Sequence, residues 1–134
     1  MSTDGLVTLA SAFGPSETMR RLEAEVKAKG MTIFAHVDHA AGAAAAGMTL
    51  RPTDLLIFGA ARGGTPLMEI QQTIGIDLPL KALVWQDATG ATFLTYNDPD
   101  WLAERHRLTP RPAASLNALT TALKAVATAA TTGK

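Results

Sequence analysis

The chain has 134 residues, 47% hydrophobic and 18% charged, a size and composition that suit one domain with a real core. Twelve lysines and arginines balance twelve aspartates and glutamates, so no global field draws the protein to nucleic acid or to an anionic membrane. Cysteine is absent, which excludes disulfides, thiolate catalysis and cysteine-held zinc or iron–sulfur centres.

The opening stretch, MSTDGLVTLASAFG, has an acid where a secretory signal carries basic residues, and threonine and serine break its short apolar part. It reads as a strand over 5–13 and not as a signal peptide. No apolar run approaches the roughly 20 residues that span a bilayer. The expectation is a soluble cytoplasmic protein of one domain, 1–134. GPSETMRRLEAEVKAKG follows as a helix, with Ser16 as its N-cap and Met19, Leu22 and Val26 recurring on one face. Gly30 suits the left-handed position that closes it.

MTIFAHVDH reads as a strand, alternating Met31, Ile33, Ala35 and Val37 against Thr32, Phe34, His36 and Asp38. AAGAAAAG has room only for a short helical turn. PTDLLIFG is an inner strand, continuously apolar from Leu55 to Phe58. ARGGTPLMEIQQT begins as a glycine-rich loop, with Thr65 predicted to cap a short helix and Pro66 at its first position. LPLKALVWQD and ATFLTYN form a hairpin through DATG. Asp98-Pro99-Asp100 opens a helix through Trp101, Leu102 and Arg105. A last helix over 113–131 carries Leu116, Leu119, Leu123 and Val126 on one face. This order predicts an α+β fold, with helices on one face of a largely antiparallel sheet.

The ordered set GMTIFAHVDHAAGAAAAGMTLRPTDLLIFG, GTPLM, DLPLKALVW and the strand ending in Tyr96 carries a family resemblance. Over about Glu17 to Tyr96 the chain resembles the bacterial and archaeal domain of unknown function 302 family. The resemblance implies a curved antiparallel sheet of about five strands in the TATA-binding-protein-like class, with helices packed on one face. It also implies dimers, and no reaction. The family's Asp-His pair falls on Asp38 and His39, its Gly-Thr-Pro-Leu-Met stretch on Gly64 to Met68, and its Asp-Leu-Pro-Leu on Asp77 to Leu80. Where many relatives have Asn-Pro after the strand ending in Gly59, this chain has Ala60-Ala61, so an amide side chain is lost from that loop.

The candidate chemistry is sparse. His36 and His39 are three apart and fall on opposite faces of a strand, so joint metal binding needs a turn at Asp38. It also needs a third ligand, and only His106 and Asp77 are loose candidates. No metal and no cofactor are expected. His36 and Asp38 share a strand face and read as a surface ion pair of little worth. His39 has two open readings, a ligand contact or a cap on the next turn. Glycines and Arg62 in GAARGGTPLM pose a phosphate question, but the P-loop lysine and spacing are missing, and a tight turn capped by Thr65 is favoured. Met48 and Met68 read as core or pocket lining. Trp85, Tyr96 and Trp101 are too scattered to stack bases.

The leading expectation is a homodimeric protein that binds a small organic ligand. Its pocket would have Asp38 and His39 on one wall and Arg62, Gly64, Thr65 and Met68 on another, since both stretches follow strands at loop junctions. The alternatives are an enzyme with His39 as general acid or base beside Asp38, and a dimeric interaction module without chemistry. The dimer is expected from unpaired edge strands and from exposed alanine and threonine on the last helix.

Overall fold

A computed structural model of the protein describes residues 4–134. Its elements run β1 (Leu6–Ala10), α1 (Pro15–Ala28), β2 (Thr32–Asp38), α2 (His39–Ala45), β3 (Thr53–Gly59), α3 (Ala61–Ile70), a 3-10 segment (Gln72–Asp77), β4 (Leu80–Gln86), β5 (Thr92–Asn97), α4 (Pro99–Arg105) and α5 (Ala113–Thr132). The strands form one five-stranded sheet in the order β1-β5-β4-β3-β2. Every neighbouring pair is antiparallel, so the expected α+β class holds, with an open sheet and helices on one side.

One face of the sheet supplies Leu56, Phe58, Leu80, Ala82, Val84, Leu94 and Tyr96 to the core. Helix α1 lays Met19, Leu22 and Val26 on it, and α5 lays Leu116, Leu119, Leu123, Val126, Ala127 and Ala130. Both helices show the apolar stripe that their sequences predict. Burial raises the Tyr96 hydroxyl pKa, and the nearby Asp98 charge raises it further.

The other face carries Leu6 and Thr8 of β1, Phe93 and Thr95 of β5, Leu83 and Trp85 of β4, Leu55 and Ile57 of β3, and Ala35 and Val37 of β2, by strand register. None of them belongs to the core. Trp85 and Phe93 stack at 4.9 Å between centroids. The Trp85 indole N–H donates to Thr95 Oγ1 at 2.9 Å, and the Thr8 and Thr95 hydroxyls bond at 2.9 Å. Lys81 is the one charged residue at an open-face strand position among the described residues.

Four local expectations are corrected. Ser16 is not the cap of α1: the helix begins at Pro15, whose fixed φ suits the first position, so extended Gly14 takes the cap and Ser16 falls inside the first turn. Strand β2 does not alternate throughout. Ile33 pairs with Phe58 and Ala35 with Ile57, so Phe34 is a bulge residue. The extra residue turns Ala35 and Val37 to the open face and leaves His36 and Asp38 on the helix face. The third correction is α3, which starts at Ala61, so Gly63, Gly64 and Thr65 are helical and Pro66 lies inside the helix instead of opening it. Last, AAGAAAAG contributes to a full helix, α2, with no buried residue.

Candidate functional site

The described residues enclose an apolar cleft of about 490 Å³ where β2 begins and β3 ends. Gly59, Pro79 and Leu80 form one side at the β3–β4 junction. Ala61 to Gly64 and Met68 of α3 form a second, and Ala118, Leu119 and Ala122 of α5 a third. Met31 and the bulge residue Phe34 stand at the start of β2, and Phe34 is 56% exposed. A bulge re-aims a side chain, and here it releases a phenyl ring from the sheet to the cleft's edge.

Glycine shapes this cleft at two places. Gly59 holds φ of +152°, a region that only glycine adopts freely, as the chain turns from β3 into α3. Gly63 and Gly64 let α3 approach its neighbours closely. A Cβ at Gly63 would lie 3.2 Å from Leu119 Cδ2, and one at Gly64 would lie 3.3 Å from Leu78 Cδ1. The glycine-rich stretch that suggested a phosphate loop is therefore a helix made thin for packing. Among the described residues Arg62 is the one charged side chain lining the cleft. It is exposed and has no ion pair or side-chain hydrogen bond among the described residues.

Asp38 and His39 lie elsewhere, at the opposite end of β2. Asp38 is the N-cap of α2, and its Oδ1 accepts the Ala41 amide at 2.8 Å. It also borders a second hollow of about 300 Å³ with Pro15, Ser16, Ala40, Pro52, Asp54 and Gln86. His39 is the first residue of α2, exposed, and lines neither hollow. The structure thus brings Arg62, Gly64 and Met68 together and leaves Asp38, His39 and Thr65 off that cleft. The turn is capped by Asp38 and not by His39.

His36 bonds across the sheet and not along its strand. Its Nε2 lies 3.0 Å from Asp54 Oδ1, and its Nδ1 lies 3.3 Å from Glu23 Oε1 on α1. Met48 is 67% exposed and lines neither hollow, whereas Met68 lines the cleft. Among the described residues no three His, Asp or Glu side chains are grouped as a metal ion needs.

His106 and Asp77, loose ligand candidates whose spacing implies no convergence, meet in one cluster. His106 Nε2 lies 2.6 Å from Asp77 Oδ2, and His106 Nδ1 lies 3.1 Å from Thr73 Oγ1. Arg105 Nη1 donates to both Asp77 oxygens, at 3.1 and 3.0 Å. The His106 and Asp77 side chains are only 8% and 14% exposed. A carboxylate, an imidazole and a hydroxyl in a row can move a proton, yet no hollow described above adjoins Thr73. What the cluster does is tie 72–77, whose Gly75 lines the cleft, to the end of α4. Asp77 and His106 are 29 residues apart, and nothing local in the sequence announces their meeting.

Comparison with known proteins places this geometry in context. Residues 104 in length match the protein named fluoride-specific ion channel FluC 1 of Brucella suis at 52% identity, covering 78% of this chain and 41% of that protein. FluC 1 of Brucella abortus and FluC 2 of Brucella melitensis match at the same identity, over 38% of each. The chain thus matches well under half the length of these relatives. Among solved structures, an uncharacterised conserved DUF302 protein from Bacillus stearothermophilus superposes with a TM-score of 0.80 at 21% identity, covering 92% of this chain and 95% of that one, and shares the fold. The model of the domain of unknown function DUF302 matches residues 7–126, and the chain belongs to that family.

Proposed function

We propose that the protein binds a small organic ligand in the cleft between α3, α5 and the start of β2, with Arg62, Gly64 and Met68 among its contacts. The carrying observation is the cleft itself: about 490 Å³, within the ordinary range for small-molecule sites, with a nearly all-apolar lining and, among the described residues, one cation without a side-chain partner. A neutral solvatochromic dye such as Nile red tests it. Its fluorescence should rise with wild type, and Ala118→Trp, which fills the cleft from α5, should abolish the rise. Equal dye binding by both proteins would refute the reading.

The protein acts as a cytoplasmic homodimer in this reading. The open sheet face supports the dimer better than α5 does, because Ala127, Ala130 and Thr131 of that helix are buried in the core. Leu55, Ile57, Leu83, Trp85 and Phe93 form an almost uncharged surface, and a second copy presents the same surface for sheet-on-sheet packing. Light scattering should give twice the chain mass at micromolar concentration, and Leu83→Lys should return it to the monomer mass.

A second reading comes from the Brucella relatives. No helix among the described residues is long and apolar enough to cross a membrane. A channel needs such segments or a closed barrel, so the matched part of the FluC proteins reads as an appended domain and not as the pore. This domain then works beside a fluoride channel, as ligand sensor or scaffold. Deleting its gene should lower growth in raised fluoride and leave growth in raised chloride unchanged. Equal fluoride tolerance would remove this reading.

A further inference from the structure

We propose that the cleft takes a free monoanionic amphiphile, an acyl chain ending in a carboxylate, with Arg62 holding the head group. The inference rests on the cleft reading and specifies its ligand.

Charge and shape select this ligand. Apart from Arg62 the lining side chains are hydrocarbon, thioether or proline ring, and four glycines add bare Cα surface. Such a surface gains by excluding water from an apolar chain and offers nothing to a sugar, a base or a polar peptide. Met31 and Met68 adapt to an irregular chain, and Phe34 stands at the edge, more than half exposed. Arg62 supplies a single positive charge. Among the described residues no Asp or Glu lines the cleft to neutralise it. Its five-donor fork matches a carboxylate bidentately. A dianionic phosphate would ask for more donors than this lining has, and a cationic amphiphile would meet the wrong sign. Gly64 and Met68, the two ends of the family-like stretch, both line this wall.

Competition against Nile red decides the matter. The competitors are decanoate and decanol, both below their aggregation limits. Decanoate should displace the dye at roughly threefold to tenfold lower concentration than decanol, the range of one charge-assisted contact near the surface. Arg62→Gln should erase that preference and leave displacement by decanol unchanged. Added salt should weaken decanoate alone. Arg62 is exposed, so the variant should fold. Decanol matching decanoate in wild type, or an intact preference in Arg62→Gln, would overturn the head-group assignment while the apolar cleft stands. Anionic phospholipid vesicles displacing the dye as well as decanoate does would overturn the choice of a free ligand. Displacement by neither competitor, with dye binding unchanged in Ala118→Trp, would sink the cleft reading itself.

Discussion

Helices α2 and α3 invite comparison because they look alike as sequence. Each follows a strand with at most one residue between, each is rich in alanine and glycine in its first turns, and each overlaps a family-like stretch. Their physics is opposite. Helix α2 buries nothing, a Cβ at its Gly42 would meet open space, and it is held by a side-chain cap from Asp38. Helix α3 has no side-chain cap at Ala60, buries Leu67, and presses Gly63 and Gly64 against Leu119 and Leu78. Small residues mean freedom from neighbours in the first helix and crowding by neighbours in the second. Only the crowded helix borders the larger cleft.

The contrast yields graded expectations, each readable by denaturant melts beside wild type. Leu67→Ala should cost most, about 2–5 kcal/mol, because a fully buried leucine leaves a cavity. A loss under about 1 kcal/mol would mean that α3 is not anchored by packing. Gly63→Val should come next, at about 1–3 kcal/mol of overpacking against buried Leu119. The two caps follow. Asp38→Ala should cost about 0.5–2 kcal/mol, and Ala60→Asn should stabilise by a similar amount, since Ala60 already has the extended backbone of an N-cap. Should Ala60→Asn prove neutral or harmful, the difference between a capped and a packed helix would not be the right account. The smallest effect belongs to His39→Ala, expected within about 0.5 kcal/mol because the imidazole is exposed and unpartnered among the described residues. A loss near that of Leu67→Ala would restore His39 to a structural role.

The Ala60 case also shows what the sequence makes readable. The missing Asn-Pro was visible in the sequence as a lost amide in a presumed loop. Its physical meaning, a vacant N-cap followed by the first helical position, appears only once α3 is seen to start at Ala61. Local signals read well. The stripes of α1 and α5, the start of α4 at Asp98-Pro99-Asp100 and the hairpin turn at Gly90 all stand where the residues put them. Gly90 follows Asp87, whose carboxylate pKa is lowered chiefly by the hydrogen bond from Thr89. Non-local facts did not read. One bulge at Phe34 reverses the facing of Ala35 and Val37, and periodicity cannot register an inserted residue whose cause lies in the partner strand. Glycines that pack look like glycines that turn. The meeting of Asp77 with His106, and the separation of His39 from Arg62, depend on sheet order, which no local pattern encodes.

That bulge has a consequence for how copies of the chain behave in a crowded solution. Strand β2 is a border of the sheet, and a border strand with a regular row of free amides and carbonyls is a template for further strands. Phe34 breaks the pairing rhythm in the middle of β2, and a bulge adds local twist. An incoming strand finds its donors and acceptors out of phase past that point. The same inserted residue that brings a phenyl ring to the cleft therefore makes this one border of the sheet a poor template for an added strand.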